Sequence, residues 1–327
     1  MKNLSWLKLP LIEIKKAETE VHMLYGANKI VEEYCKTRFK VNKIFGEWVH
    51  GVSFPHHYIH PRALIGGNYQ NVKNTNWVVN KKCQEFLESS GFKAKAIGLP
   101  IIYLNPKKYI RKPNTILIMP SHSSYYVQQK NQSEVQQNKY ILYLNKIICN
   151  YESSVACLHN YDFQNDLWKN EFNHLGVDIV IGAGTNDENA LERIIALMSQ
   201  FEYVTSNVMG SHIAYAAAFG AKVSISGPYH QYNKKAFLNE PLYSENPSLL
   251  DYFEREEEMM RENYPFLFVE PHKSKQQIDW GREMIGFNNK LSPKELKKLF
   301  KVDSLNLFIR NIKNNSKSLL RKFVQKK

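Results

Sequence analysis

Between residues 114 and 227, short runs of apolar and β-branched residues alternate with stretches of helical length. Asn114–Met119 (NTILIM), Ser154–Leu158 (SVACL), Val177–Ile181 (VDIVI), Tyr203–Thr205 and Lys222–Ile225 have the length and composition of buried strands. Helices are expected between them: from the Ser133/Gln136 capping-box pattern to about Cys149, then Gln164–Leu175, Asn189–Gln200 and Gly210–Phe219. Gly176 and Gly220 follow two of them as C-terminal stops. Strands separated by helices of 10–15 residues demand a parallel sheet with both faces covered. The first hundred residues repeat the theme in brief. A helix is expected over Val21–Thr37, a strand over Val41–Val49, and a strand–helix–strand over Trp77–Pro100.

A chain of 327 residues suits two domains of roughly 100–200 residues each. The Pro- and Lys-rich stretch Tyr103–Pro113 reads as a linker. The fold class expected is therefore α/β: a Rossmann-like domain over residues 1–105, a second over 106–285, and a basic helical tail over 286–327. Charge is uneven. Residues 290–327 hold ten Lys and two Arg against Glu295 and Asp303, so +10 of the net +13 lies there. From 304 to 325, Leu305, Phe308, Ile312, Leu319 and Phe323 recur at helical steps among basic residues. That pattern suits packing, or contact with an anionic membrane surface. No apolar run approaches the roughly 20 residues of a membrane span, and no secretory leader is visible, so a cytoplasmic location is expected. Cys35, Cys83, Cys149 and Cys157 lie far apart without a CxxC pair, which argues against a zinc site. His56, His57 and His60 crowd one loop without acidic support, and no metal is expected there.

Candidate chemistry clusters just beyond the strands, where open α/β sheets place their sites. Glu47-Trp48-Val49-His50-Gly51 offers an imidazole with ordinary titration near neutrality, suited to taking a hydroxyl proton. A hydrogen-bonded loop histidine is the simpler alternative. Ser121 and His122 follow the strand ending at Met119, and His159 follows Leu158. Thr205-Ser206-Asn207-Val208-Met209-Gly210-Ser211-His212 is a strand-to-helix turn, whose free N–H groups favour phosphate. Capping is the ordinary role for Ser206 or Asn207. Gly182-Ala183-Gly184 is a weak phosphate-loop signal, lacking the later glycine.

Taken in order, Trp-x-His-Gly, Gly98-Leu99-Pro100, Met119-Pro120-Ser121, Leu158-His159-Asn160 and Thr205-Ser206-Asn207…Gly210-Ser211-His212 resemble the motifs of GT-B-type transferases of bacterial surface polymers. These include capsule and lipopolysaccharide glycosyltransferases and teichoic-acid polyol-phosphate polymerases. The resemblance spans roughly residues 41–228. It implies His50 as base; Glu47, the nearest carboxylate, is the fallback. It also implies that His159, Ser206 and Ser211 hold donor phosphates. Gly210, His212, Ser121 and His122 complete the expected phosphate site. The family's His-Pro is His159-Asn160 here, its paired serines are Gly210-Ser211, and no two glutamates seven residues apart follow Ser206. The expected activity is sugar transfer from a nucleotide sugar, without metal or cofactor, to a glycan or lipid-linked acceptor at the inner membrane face. A CDP-polyol phosphotransferase, a nucleotide-sugar epimerase and a nucleic-acid-binding protein are the alternatives. The apolar spacing of the tail speaks against nucleic acid.

Overall fold

The computed structural model describes residues 6–7, 14, 24–38, 40–41, 44–65, 74–105, 108–123, 134–238 and 240–302. The serines Ser124 and Ser133 and the 304–325 stretch lie outside these. The strands form two wholly parallel sheets. β1 (Glu47–Trp48), β2 (Thr75–Val78) and β3 (Lys93–Ala96) lie side by side in that order. β4 (Lys112–Ile118), β5 (Ser153–Leu158), β6 (Asp178–Ile181), β7 (Phe201–Ser206) and β8 (Lys222–Ile225) make the second, in the order β6-β5-β4-β7-β8. That order reverses direction at β4/β7, which opens a crevice at the carboxyl ends of those strands. The α/β class expected from the sequence is thus the observed one.

Helices supply the crossovers. α1 (Ala27–Cys35) precedes the first sheet, and α2 (Lys81–Ser89) joins β2 to β3. α3 (Glu134–Ile147) joins β4 to β5, α4 (Asn160–Gln164) and α5 (Lys169–His174) join β5 to β6, α6 (Ala190–Gln200) joins β6 to β7, and α7 (Ser211–Ala218) joins β7 to β8. β5 is buried at every residue, as a strand covered on both faces must be. One face of the second sheet packs Ile116, Ile118 and Leu158 with Tyr140, Trp168 and Phe172. The other face shares a continuous core with the first sheet, from Leu117 and Val204 to Trp48 and Trp77. The segment after the second sheet returns to the first. Helix Ile278–Met284 presses Gly281 onto α7, where a Cβ would lie 2.3 Å from Ala218 N. The Tyr34 hydroxyl then donates to the Leu291 carbonyl at 2.7 Å, and the Phe300 ring sits 5.1 Å from that of Trp48.

Three elements differ from expectation, each for a packing reason. The strand expected over 41–49 shrinks to β1, because the Trp77 indole donates to the Phe45 carbonyl at 2.7 Å and removes it from any ladder. The helix expected over 164–175 breaks into α4 and α5. Asp166 (φ 57°) and Trp168 (φ 68°) turn left-handed there, and burial of the Trp168 indole beside Tyr140 and Phe172 outweighs helical continuity. The helix expected from Val21 begins at Ala27 within the described residues. Gly26 (φ +80°) turns the chain against Glu188, leaving no room for a Cβ.

Candidate functional site

The carboxyl ends of β1, β4, β5, β6 and β7 converge on one cleft of about 300 Å³. Its walls include His50 from beyond β1, His122 from beyond β4, His159 from beyond β5, Ala183 from beyond β6, and Gly210, Ser211 and His212 where β7 passes into α7. The N-terminus of α7 therefore borders the cleft with its partial positive charge. Gly210 is needed there: a Cβ would lie 2.7 Å from the His212 ring. Gly182 is needed likewise, since a Cβ would meet Cys157 Sγ at 2.9 Å and the Leu158 carbonyl at 3.0 Å.

The two sheets are tied together at this point. The Val52 N–H donates to Ser211 Oγ at 2.9 Å, and the Tyr215 hydroxyl donates to the His50 carbonyl at 2.7 Å. Lys29 of α1 donates to Asn189 and Glu192 at the start of α6. The Tyr25 N–H donates to the Thr185 carbonyl at 2.8 Å, which sets the Tyr25 ring 5.1 Å from that of His50. Behind the β6 loop, Arg193 pairs with buried Asp187 and donates to the Gly182 carbonyl, so its guanidinium is spent on scaffold.

The sequence-derived residues divide into two sets. His50, His122, His159, Gly210, Ser211 and His212 line the cleft together. Ser206, Ser121 and Glu47 are buried and lie outside its walls. Ser206 Oγ accepts the Val208 N–H at 3.2 Å, an ordinary turn bond. Ser121 is held by its backbone, its N–H donating to Asn207 Oδ1 and its carbonyl accepting the Trp168 indole. Glu47 faces away from its neighbour Trp48 on the strand and accepts from Asn74 at 2.8 Å. His57 and His60 accept backbone N–H groups of Phe54 and Arg62, and His56 stacks on Tyr252 at 4.2 Å. Among the described residues no group of three or more His, Cys, Asp or Glu has a metal-holding arrangement.

The imidazoles of the cleft are electrostatically coupled. The His122 and His159 rings stack at 4.7 Å with a 21° tilt. His159 Nδ1 accepts the Tyr161 N–H at 3.3 Å and so caps α4. His122 Nδ1 lies 3.0 Å from the Ser123 carbonyl, which only accepts, so that nitrogen carries the proton. Burial pushes His50 down to about 4. Burial, then the neighbouring His122, pushes His159 and His212 down to about 3 and His230 to about 4. Asp162, accepting the Ser123 N–H at 3.1 Å, is pushed up to about 6 by burial, against the pull of His122. His50, His159 and His212 thus stand neutral near pH 7, as hydrogen-bonding groups and not as cations.

Sequence reasoning missed Tyr25, Asp162, His230 and Tyr232. Asp162 follows His159 by three residues, in the first turn of the short helix that His159 caps. Tyr25 and Tyr232 lie far from any strand end and carried no such signal.

No protein-family model matches the chain, and no curated protein does. Among solved structures, UDP-GlcNAc 2-epimerase from Methanocaldococcus jannaschii aligns over 80% of each chain at 12% identity, with a TM-score of 0.36. A protein from Listeria monocytogenes provisionally given the same name aligns over 80% of this chain and 74% of its own, at 11% identity and a TM-score of 0.33. These values are too low to transfer an activity.

Proposed function

We propose that the protein is an enzyme acting on a nucleotide-activated sugar in this cleft. The observation that carries the reading is the convergence of His50, His122, His159 and the α7 N-terminus at the carboxyl ends of two parallel sheets. Imidazoles and a helix N-terminus gathered on one cleft suit the charge that builds on a departing nucleotide phosphate. His50, neutral and on the opposite wall, is the base for a proton on the sugar or on an incoming hydroxyl.

Cleft size bears on the reaction. About 300 Å³ stands at the low end of ligand pockets, which run from roughly 300 to 1,000 Å³. That favours a reaction within one nucleotide sugar, such as epimerisation, over one that also seats an acceptor. Transfer to a glycan or lipid-linked acceptor is the second reading, supported by the motif order over residues 41–228. In both, domains divided near residue 105 would contribute one wall each.

The test is incubation with UDP-, CDP-, GDP- and dTDP-linked sugars, followed by proton NMR. A second sugar stereoisomer appearing without acceptor supports epimerisation, and turnover only with an added glycan acceptor supports transfer. His50→Ala lowers the rate by about 10²–10⁴ with substrate affinity nearly intact. Absence of binding by every nucleotide sugar removes the reading.

A further inference from the structure

The cleft has two chemically different ends, because the strand order fixes where each side chain is delivered. In the order β6-β5-β4-β7-β8, the inner strands β5, β4 and β7 bring His159, His122 and the head of α7. Beyond the edge strand β6 the lining turns apolar, with Ala183 from the loop after β6 and Leu191 and Ile194 from α6. The turn Leu24–Gly26 packs against α6 and adds Tyr25 to that end, its N–H donating to the Thr185 carbonyl at 2.8 Å. The Tyr25 ring stands 5.1 Å from that of His50. The apolar end of the cleft is therefore also the end that carries the proposed base.

Tyr25 holds this place against its own backbone preference. Its φ of 59° and ψ of 24° are left-handed, a conformation that opposes a residue with a Cβ and that Gly or Asn adopts more readily. Gly26 beside it, at φ +80°, has the Glu188 carbonyl where a Cβ would stand. The turn is thus fixed on both sides, by Thr185 and by Glu188, and the strained residue within it is retained. Among the described non-glycine residues of positive φ, Tyr25 alone borders the cleft. Strain kept at a cleft wall points to a side chain that the site uses. Burial pushes the Tyr25 hydroxyl up to about 12, so the group is a neutral phenol near pH 7. A neutral aromatic ring among aliphatic side chains suits the C–H face of a pyranose, which leaves water and meets the electron-rich face of the ring.

We infer that Tyr25 is a sugar-contacting residue: the sugar ring of the nucleotide sugar lies at the β6 end of the cleft, against Tyr25, Leu191 and Ile194 and beside His50, while its phosphates lie at the inner strands. The inference rests on the nucleotide-sugar reading above. It brings the sugar, and not the nucleoside, within reach of His50.

The experiment is isothermal titration of the full chain and three variants with UDP-, CDP-, GDP- and dTDP-linked hexoses and N-acetylhexosamines, and with the parent nucleoside diphosphates. Tyr25→Asn accepts the left-handed backbone and gives up the ring. Tyr25→Leu keeps apolar bulk without the aromatic face, and Tyr25→Phe keeps the ring. Circular dichroism confirms the fold of each. For a nucleotide sugar that binds the wild type, Kd rises roughly 10- to 100-fold in Tyr25→Asn, while Kd for the parent diphosphate stays within about twofold. Tyr25→Leu shows the same split, which carries the test if Tyr25→Asn does not fold, and Tyr25→Phe keeps most of the affinity. Equal losses for the nucleotide sugar and the diphosphate mean that Tyr25 only shapes the wall, and they overturn the inference. An unchanged Kd for the nucleotide sugar overturns it as well. Both results leave the nucleotide-sugar reading standing. No binding of any nucleotide sugar by the wild type defeats that reading and this inference with it.

Discussion

Gly210→Ala isolates the contribution of the His212 ring from that of the scaffold. The backbone at Gly210 is extended (φ −169°, ψ 170°), a conformation any residue adopts. The new methyl would stand 2.7 Å from the His212 ring, whereas carbon contacts settle at roughly 3.5–4.0 Å. The ring must therefore swing by about 1 Å. His212 Nε2 is buried without a partner within the protein, so the swing breaks no bond of that nitrogen, but it moves the ring that lines the cleft and with it the bond proposed to the substrate phosphate. A hydrogen bond to a charged group contributes about 1.5–3 kcal/mol, so nucleotide-sugar affinity falls roughly 10- to 150-fold. Stability stays within about 1 kcal/mol, because a glycine-to-alanine change at a compatible φ restricts the unfolded chain by a similar amount. Calorimetric titration gives the first quantity and urea unfolding the second. A companion His212→Ala closes the cycle: if the methyl acts only through the ring, Gly210→Ala adds nothing in that background. Affinity within twofold of wild type refutes the assignment of His212 to the phosphate. A stability loss beyond about 2 kcal/mol shows that the methyl strikes scaffold instead.

Acidification should destabilise the protein from about pH 6.5 downward. His50, His57 and His230 are held down to about 4 and His159 and His212 to about 3, burial being the main cause for all five. Between those values and the ordinary histidine pKa the unfolded chain binds more protons, so the stability they confer is present above about 6.5 and is lost as pH falls. Four carboxyls that burial raises work in the opposite sense, Glu256 pushed up to about 7, Asp162 up to about 6, and Glu32 and Glu240 raised, against seven histidines that are lowered. Urea midpoints at neutral and mildly acidic pH check this, and equal midpoints contradict it. For the tail, the full chain should sediment with anionic vesicles at low salt and a chain ending at Asp303 should not, each basic residue near the surface adding about 1 kcal/mol. Equal sedimentation of the two means the 304–325 stretch has no membrane role.

What was legible in the sequence follows from the physics of parallel sheets. Such a sheet gathers every strand's carboxyl end at one edge, so a residue just past a recognisable strand is already placed. His122, His159 and the Gly210–His212 turn were locatable for that reason. His50 was locatable although little of its expected strand forms among the described residues, because β1 ends at Trp48, two residues before it. What was not legible depends on which way a side chain turns. Ser206 and Ser121 sit at the right strand ends, but one bonds the next turn and the other is fixed by Asn207 and Trp168. Glu47 lies three residues before His50, and strand alternation carries it to the opposite face from Trp48. The approach of the two halves was also hidden, since the shared core and the bonds that fasten it join residues distant in sequence. The Tyr25–Gly26 turn, pinned to Thr185 and packed against Glu188, delivers an aromatic ring beside His50 from a segment that reads as plain helix. Ser211 serves both halves at once. Its position at the head of α7 was readable, but its oxygen accepts the Val52 N–H, so the residue expected to hold phosphate also fastens the first sheet to the second. A hydroxyl that accepts one bond can still donate another. Tyr215, one turn further along the same helix, donates to the His50 carbonyl, so α7 holds both a cleft-lining serine and the segment that carries His50.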